Sequence, residues 1–532
     1  MTRAQRLALT AAILGSFVAG VDATVVNVAL PAIEHDLGGG LAGQQWVSNG
    51  YTLALAALIL VGGSLGDVLG ERRVFSVGVL GFGLTSIVCA AAPTIEVLVA
   101  GRIAQGVFGA LLMPSALAVI VTAFPPAQRG AAVGSWTAWS GIATVVGPLV
   151  GGQLIDAASW RWIFAVNVPF VIATLVLVAI GVPGREPGRA RVPIDWPGAA
   201  LSFLALAGPT LALIRQPTSG WSAPDVLVPG LGGVLFFALF ISREATTAHP
   251  MLPLELFRRR NFAAGNAETL AMYAGLSVLF FYLLLFLQQV AGYSALEAGL
   301  ATLPMTLVTF ALAKRAGALA DRLGPRLFMG GGPLLAAAGL LLLLRVDSRA
   351  GYATQILPAL VVFSLGLSAT VAPLTATVLA DADEAHAGIA SGVNNAIARA
   401  AGLLGVAAIG AVIAAQFSSG LRDRIDPAAL SPPARAALRA ALDRRLARAD
   451  VSGLVPREAA TVARATEAAA VGAFHTGMGI SAALVGLGGI IGIALVRNPR
   501  RDVSCAGCPG GQLAGAPVDA ARERVAATPA PA

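Results

Sequence analysis

Charged residues are scarce in this sequence, and lysine is almost absent. Of the 532 residues, 12% are charged, whereas soluble domains carry about 25%. Lysine occurs once, as Lys314, and Arg315 follows it. A phosphate-binding P-loop needs a lysine followed by serine or threonine, because these side chains hold the phosphates and Mg²⁺. The sequence therefore excludes a P-loop nucleotide motor.

Histidine and cysteine are also rare, with four and three residues. The histidines are scattered, so they form neither a His-rich metal site nor the Ser/His/Asp cluster of an enzyme. Cys89 lies in an apolar segment, where we expect it to pack as a small buried residue. Cys505 and Cys508 form a single C-x-x-C, which is two ligands short of a structural zinc site. We expect no enzyme activity, no metal and no cofactor.

Apolar sequence, in contrast, is abundant. Hydrophobic residues make up 56% of the chain, and the mean hydropathy is +0.78. A helix needs about 20 apolar residues to cross roughly 30 Å of hydrocarbon. Fourteen segments meet this requirement: 7–31, 46–66, 74–93, 97–123, 131–155, 162–182, 198–214, 226–242, 263–288, 295–313, 327–344, 353–379, 388–416 and 471–496. The sequence therefore predicts an all-α polytopic membrane protein.

The distribution of arginine predicts the orientation, because basic residues are retained in cytoplasmic loops. With the N-terminus inside, the inner segments hold 19 arginine and lysine residues and the short outer loops hold 4. An even number of spans then places both termini in the cytoplasm, and we expect a multi-pass protein of the cell membrane. The net charge of +8 is spread over many loops. It therefore indicates contact with lipid headgroups, and we expect no nucleic-acid partner.

An internal repeat divides the chain. The stretches "GSLGDVLGERR" and "GALADRLGPRL" begin 254 residues apart, at positions 63 and 317, after the second and the tenth predicted spans. Repeats of this kind are typical of secondary transporters. We predict a six-helix half, linkers with two additional spans, a second six-helix half with a long outer loop at 417–470, and a disordered tail, with the boundaries 1–182, 183–262, 263–496 and 497–532.

Two acidic residues lie inside predicted spans. Asp22, in "GVDATVVNVALP", is fourteen residues into the first span, about 21 Å deep at 1.5 Å per residue. A carboxylate there is costly unless it is protonated, paired or in contact with water. We expect Asp22 to bind a proton or a cationic substrate in a central cavity; a structural bond to a neighbouring helix is the alternative. For Glu268, a role in coupling and snorkelling to the inner interface are equally open.

Five motifs, in this order and spacing, resemble the major facilitator superfamily, and within it the fourteen-helix drug:proton antiporters. They are "VDATVVNVALP", "GSLGDVLGERR", "GRIAQGVFGA", "GPLVGG" and "GIASGVNNAIARAAG". The resemblance covers residues 8 to about 495 and implies the major facilitator fold. The chain departs from the family pattern at Val68 and Glu71, where basic residues are common, and at Ala400, where glutamine is usual.

The resemblance also implies roles for individual residues. It places Asp22 and Arg102 in proton handling, although Arg102 could instead snorkel to the surface. The latch between the second and third spans would contain Gly63, Asp67, Gly70 and Arg72, unless Asp67 only caps a helix. The antiporter helix would contain Gly147, Pro148, Gly151 and Gly152, unless these residues serve packing alone. Further matching positions are Asn27, Gln105 and Arg399.

These observations lead to three hypotheses of unequal weight. The first is a proton-coupled exporter of amphipathic, hydrophobic or cationic compounds that works by alternating access as a monomer. The second is a dedicated exporter of one endogenous metabolite or self-made antibiotic. A polytopic membrane enzyme or receptor is a distant third. For the first two, the expected partners are a small-molecule substrate, protons and the lipid bilayer.

Overall fold

The computed structural model describes residues 1–182, 195–248, 250–380, 387–444 and 446–498. Within these ranges the regular structure is helical, without strands, as predicted. The predicted linker at 183–194, the tail from residue 499 with Cys505 and Cys508, and the side chain of Asp67 lie outside what the structure describes.

Seven helices make up the first bundle: α1 Arg3–Leu37, α2 Gly40–Leu69, α3 Glu71–Ala90, α4 Ile95–Ala123, α5 Pro126–Ala157, α6 Trp162–Ala165 and α7 Asn167–Gly181. A middle pair follows, with α8 Trp196–Ser219 and α9 Pro224–Thr246. The second bundle contains α10 Arg260–Gln289, α11 Ala295–Leu323, α12 Pro325–Leu342, α13 Leu357–Ala380, α14 Ala387–Arg422, α15 Pro432–Arg444 and α16 Pro456–Leu495. Shorter turns lie at Leu254–Arg258, Leu343–Arg345, Tyr352–Ile356 and Pro427–Ala429.

Among the described residues, twelve helical segments are long and apolar enough to cross a membrane, with α6 and α7 counted as one. The other two predicted spans correspond to α2 and α5, which are 30 and 32 residues long. Both pack inside the first bundle, α2 against α4 and α5 against α1.

The two bundles repeat the same helix pairings. In the first bundle α1 packs against α5 and α7, α4 against α2 and α3, and α3 against α7. In the second bundle α10 packs against α14 and α16, α13 against α11 and α12, and α12 against α16. The middle helix α8 packs against α9 and also touches α2 and α14, one helix from each bundle.

Gly70 and Gly324 form equivalent turns in the two bundles. Gly70 joins α2 to α3 with φ 94° and ψ 131°, and Gly324 joins α11 to α12 with φ 93° and ψ 145°. Positive φ is readily adopted only by glycine, which has no Cβ to clash with the backbone. The predicted tight turn is confirmed, and the sequence repeat is also a structural repeat. We call this side of the molecule the Gly70 end, and the opposite side, where α15 lies, the α15 end.

Described contacts hold the two bundles together at the α15 end. Gln45 Nε2 of α2 donates to the Tyr282 hydroxyl at 2.8 Å and to the Val406 carbonyl at 3.1 Å. The Asp156 carboxylate of α5 accepts the backbone N–H groups of Ala295 and Leu296, in the first turn of α11, at 3.2 and 3.0 Å. A carboxylate is favourable there because the N-terminus of a helix carries partial positive charge.

The predicted outer loop at 417–470 is shorter than expected. Helix α14 continues to Arg422 and α16 begins at Pro456, because alanine and arginine are strong helix formers and extend both helices beyond the apolar runs. The segment between these helices contains a short amphipathic helix, α15, whose buried residues Ala434, Leu438 and Ala441 lie on one face.

Candidate functional site

A cavity of about 380 Å³ lies between the two bundles. Its lining differs in character from one side to the other. The first bundle contributes mainly small polar side chains, from Thr24, Asn27, Ser48, Asn49 and Thr52. The second contributes mainly larger side chains, including Tyr273, Phe280, Phe281, Leu284 and Arg399. Such a cavity can hold an amphipathic molecule, with polar groups on one side and an apolar body on the other.

Asn27, one of the predicted candidates, belongs to this lining. Its Oδ1 accepts a hydrogen bond from Ser48 Oγ at 3.1 Å, which joins α1 to α2 on the polar side. The amide nitrogen of Asn27 is a potential donor toward the cavity, since the residue lines it.

Asp22 is held in a buried polar cluster within the first bundle. Its Oδ2 pairs with Arg102 Nη1 at 2.5 Å. Its Oδ1 accepts hydrogen bonds from Gln105 Nε2 at 3.0 Å and from Asn167 Nδ2 at 3.1 Å. Ser86 Oγ accepts from the same two amide groups, at 2.9 and 3.3 Å. Helices α1, α4 and α7 thus meet at the Asp22 carboxylate, and α3 joins the cluster through Ser86.

Arg102 is tied to its position from several directions. Its Nη1 donates to Gln105 Oε1 at 2.5 Å, and its Nε donates to the Val47 carbonyl at 3.2 Å. The guanidinium lies 4.5 Å from the centroid of the Tyr51 ring. Only 1% of the residue is exposed, so the alternative that Arg102 snorkels to the surface is wrong. The structure brings the predicted residues Asp22, Arg102 and Gln105 together.

The expectation that Asp22 faces the central cavity is wrong for this conformation. Asp22 is fully buried, whereas the next two residues, Ala23 and Thr24, line the cavity. A helix turns by about 100° per residue, so neighbouring side chains point in different directions. The Asp22 carboxylate lies behind the cavity wall, whereas the side chains of Thr24 and Asn27, on the same helix, line the cavity.

Sequence reasoning missed Ser86 and Asn167 as partners of Asp22. Asn167 carried a signal, because it is an amide within the apolar run at 162–182, and polar side chains inside a membrane span usually have a bonding partner there. Ser86 carried no comparable signal, since small hydroxyl residues are common at helix contacts.

Glu268 lies away from both the cavity lining and the Asp22 cluster. It is fully buried on α10, and neither carboxyl oxygen has a hydrogen-bond partner among the residues that the structure describes. Its neighbours include Gly488 and Gly492 of α16; a Cβ added at Gly492 would lie 3.1 Å from Glu268 Oε2. Snorkelling to the interface is therefore wrong. An unpaired buried carboxylate is very costly, so the neutral acid is the form that suits this position.

Arg399, on α14, lines the cavity directly. Its Nη2 lies 3.4 Å from the Met113 thioether sulfur, across the boundary between the bundles. Its Nε is buried and has no hydrogen-bond partner within the described part of the chain. The phenols of Tyr51 and Tyr273 are titratable groups that interact electrostatically with Arg399. This cation is thus far less satisfied than Arg102.

The predicted latch residues lie on α2 and α3 near the Gly70 end. A Cβ added at Gly63 would meet Pro114 at an ordinary 3.8 Å, so no close helix approach requires glycine there. Gly70 forms the turn described above. Arg72 Nη2 donates to the Ala179 carbonyl of α7 at 3.1 Å, which joins two helices of the same bundle.

The predicted antiporter helix, α5, lies between α1 and α11. A Cβ at Gly147 would collide with Thr24 Oγ1, and a Cβ at Gly151 would collide with Val25 Cγ2, so α1 requires both glycines. On the other side, a Cβ at Gly152 would lie 2.6 Å from the Leu296 Cα, and a Cβ at Gly299 would lie 2.6 Å from the Pro148 carbonyl oxygen. Gly147 and Gly151 therefore allow close packing of α5 on α1 within the first bundle, whereas Gly152, Pro148 and Gly299 form the close contact between the bundles.

Other groups fit structural roles. Cys89 is fully buried, which confirms the prediction for it. His475 Nε2 lies 2.8 Å from the Val346 carbonyl, which is consistent with a packing role. Within the part of the chain that the structure describes, no group of three His, Cys, Asp or Glu side chains could hold a metal ion.

Two paired helical bundles around a central cavity define the architecture of a secondary transporter. The family model described as Major Facilitator Superfamily matches residues 12–406. The chain belongs to the major facilitator superfamily. The proteins that it resembles are membrane transporters and not enzymes.

Curated relatives extend over most of the chain. It is 32% identical over 465 residues to the tetracenomycin C resistance and export protein of Streptomyces glaucescens, covering 87% of this chain and 82% of that protein. It is 34% identical over 459 residues to the multidrug resistance protein Stp of Mycobacterium tuberculosis H37Rv, covering 86% of this chain and 85% of that protein. It is 37% identical over 407 residues to the puromycin resistance protein pur8 of Streptomyces alboniger, covering 76% and 80%.

Solved structures support the fold. A bacterial homologue of the human lysosomal transporter Spinster, in an inward-facing and unoccupied conformation, matches with a TM-score of 0.63 at 17% identity, over 92% of this chain and 98% of that one. A D-xylose-proton symporter matches with a TM-score of 0.59 at 14% identity, over 92% and 98%.

Proposed function

We propose that this protein is a proton-coupled antiporter that exports amphipathic, largely hydrophobic compounds by alternating access. The observation that carries the proposal is the buried Asp22–Arg102 pair, which lies directly behind the wall of the cavity between the bundles. A carboxylate in such a place can be neutralised by one proton, and α1 connects it to the substrate side. The named activities of the curated relatives, resistance and export, support the outward direction.

The proposed topology has fourteen spans in the cell membrane and both termini in the cytoplasm. Twelve suitable helical segments, the comparable lengths of α2 and α5, and the 19 to 4 bias of basic residues support it. The repeated pairings support two six-helix halves, 1–182 and 263–496, with the additional helices in 183–262 and the tail in 497–532. In this topology the α15 end is outside, and the conformation is closed to the outside. We take the working unit to be a monomer.

In the proposed cycle, a proton neutralises Asp22 when the site faces outward, and this breaks its ion pair with Arg102. Because α1 carries Asp22 on one face and Thr24 and Asn27 on another, rearrangement of the pair alters the cavity lining. The close contacts of α5 with α1 on one side and with α11 on the other would transmit the change to the second half. Each proton that moves inward down 100 mV supplies about 2.3 kcal/mol. Glu268 is a second proposed protonation site, within the second half.

A dedicated exporter of one compound is the second candidate. It is favoured by relatives that are named for single antibiotics, tetracenomycin C and puromycin. The apolar side of the cavity favours broader recognition, because contacts with Phe280, Phe281 and Leu284 discriminate little between compounds of similar size. A resistance profile of expressing cells separates the two candidates.

The test compares Asp22→Asn with Asp36→Asn. Both residues are on α1, but Asp36 pairs with Arg161 and its side chain is 45% exposed. We expect Asp22→Asn to abolish export that a protonophore also abolishes, and Asp36→Asn to leave it intact. Undiminished export by Asp22→Asn, or export insensitive to the protonophore in the wild type, would show that this coupling is wrong.

A further inference from the structure

The charge of the central cavity comes from one residue. Twenty-one described residues line the cavity, and Arg399 is the one charged side chain among them. Asp22 is not among these lining residues and pairs with Arg102. The described part of the cavity therefore presents one unit of positive charge to a ligand.

The bonding of Arg399 leaves donors free for a ligand. A guanidinium has five N–H donors. Of these, the structure pairs Nη2 with a thioether sulfur, which is a weak acceptor, and leaves Nε buried without a partner. Arg102 shows the contrast, because it is bonded to a carboxylate, an amide oxygen and a backbone carbonyl. Arg399 is partly buried, and a cation that is withdrawn from water without such partners is costly; a bound acidic group would reduce that cost.

We propose that the cavity takes substrates with an acidic group, a carboxylate or a phenolate, which Arg399 binds while the apolar body lies against Phe280, Phe281 and Leu284. The proposal rests on the proposed export function and names its substrate class. The planar guanidinium suits a carboxylate, because two parallel N–H groups can meet two oxygens. The polar side of the cavity, with Thr24 and Asn27, would bind further oxygen substituents.

This substrate class reverses the expectation of a cationic compound, and it changes the electrical balance of transport. One proton moving inward in exchange for one monovalent anion moving outward transfers two positive charge equivalents inward. One proton exchanged for one monovalent cation transfers none. A membrane potential alone should therefore drive the export of the anion, whereas a cation would respond only to the pH gradient.

The binding test uses two probes with the same ring system, anthracene carboxylate and anthracenylmethylammonium. Purified wild-type protein in detergent should bind the carboxylate at least about tenfold more tightly than the ammonium, the effect expected of a buried hydrogen-bonded ion pair. Arg399→Gln should lose this preference, and Arg399→Lys should retain part of it, which separates loss of charge from loss of folding. Arg424→Gln, which removes an arginine from another pocket, is the matched control.

The transport test uses proteoliposomes with valinomycin and potassium gradients of either sign and no pH gradient. We expect movement of anthracene carboxylate to follow the imposed potential in the wild type and in Arg424→Gln, and to fall at least tenfold in Arg399→Gln. Equal or tighter binding of the ammonium probe would overturn the proposal. Proton-driven movement of the ammonium probe that is unchanged in Arg399→Gln would also overturn the proposal of acidic substrates, although it would still support the proposed export function. Tight binding of the carboxylate without proton-coupled movement would support the acid site and reject the antiport mechanism.

Discussion

At the scale of single residues, the polar side chains inside the membrane differ in how well they are satisfied. Asp22 accepts hydrogen bonds from three donors on two other helices. Among the described residues, the Glu268 carboxyl group has no hydrogen-bond partner, and the partner of Arg399 is the sulfur atom of Met113. The sequence predicted which residues are unusual, because a charge in an apolar run stands out. It could not predict their partners, since those depend on how helices distant in the sequence rotate against each other. For the same reason, the sequence did not indicate that the Asp22 side chain points away from the cavity.

The state of Glu268 leads to a prediction about stability. If the residue is neutral in this conformation, Glu268→Gln keeps its size and charge and should unfold within about 1 kcal/mol of the wild type, as volume-conserving changes usually do. Glu268→Ala should lose about 2 kcal/mol or more, because it leaves a cavity between α10 and α16. Thermal unfolding of the purified variants would measure both.

Transport by the same Glu268 variants tests its proposed role in coupling. Glu268→Gln should bind substrate but fail to couple it to proton movement, because an amide cannot release and regain a proton. Normal proton-driven export by a stable Glu268→Gln variant would reduce Glu268 to a packing residue. Thr269→Ser, on the same helix, is a suitable control, since it keeps the buried hydroxyl that bonds to the Gly265 carbonyl.

At the scale of helices, glycine positions decide which elements approach closely. The repeat around Gly70 and Gly324 could be predicted from the sequence, because both turns need a residue that tolerates positive φ. The contact of α5 with both α1 and α11 could be predicted only in part. The motif "GPLVGG" indicates close packing, but sequence spacing does not show that Gly152 faces the other bundle.

Gly152→Ala should weaken the contact between α5 and α11. The added Cβ would meet the backbone of Leu296, which has little freedom to move, so the closed α15 end should become less favourable. We expect about a fivefold shift toward the conformation open at that end, or about 1 kcal/mol. Gly479→Ala is the matched control, because nothing lies within 4 Å of its added Cβ.

The measurement follows a single cysteine at Thr302, which lines the cavity, in a chain whose three natural cysteines are replaced by serine. A membrane-impermeant maleimide should label this cysteine faster from outside the cell in Gly152→Ala than in Gly479→Ala. Equal labelling in both variants would mean that α5 and α11 do not control opening.

At the scale of the whole molecule, two structurally equivalent bundles carry different chemistry. The first holds the satisfied pair of Asp22 and Arg102, and the second holds Glu268 and Arg399, neither of which has an oppositely charged partner among the described residues. The repeated pairings of helices could be predicted from two similar motifs 254 residues apart. The conformation could not be predicted from the sequence, because the same chain must be stable with the cavity open to either side. The equilibrium between these two conformations depends on a few contacts between the bundles.

Asp156 is one of those contacts, and its removal should shift the balance of conformations. Its carboxylate accepts two backbone N–H groups at the start of α11, and an acid at a helix N-terminus contributes about 0.3–1 kcal/mol when exposed. Asp156→Ala should therefore raise external labelling of the cysteine at Thr302 by about two- to fivefold. Substrate binding from the inside should weaken in proportion, because less protein is in the competent state. Asp225→Ala, which removes an acid from the first turn of α9, should change neither quantity; an equal effect of both substitutions would show that surface charge, and not the contact with α11, sets the balance.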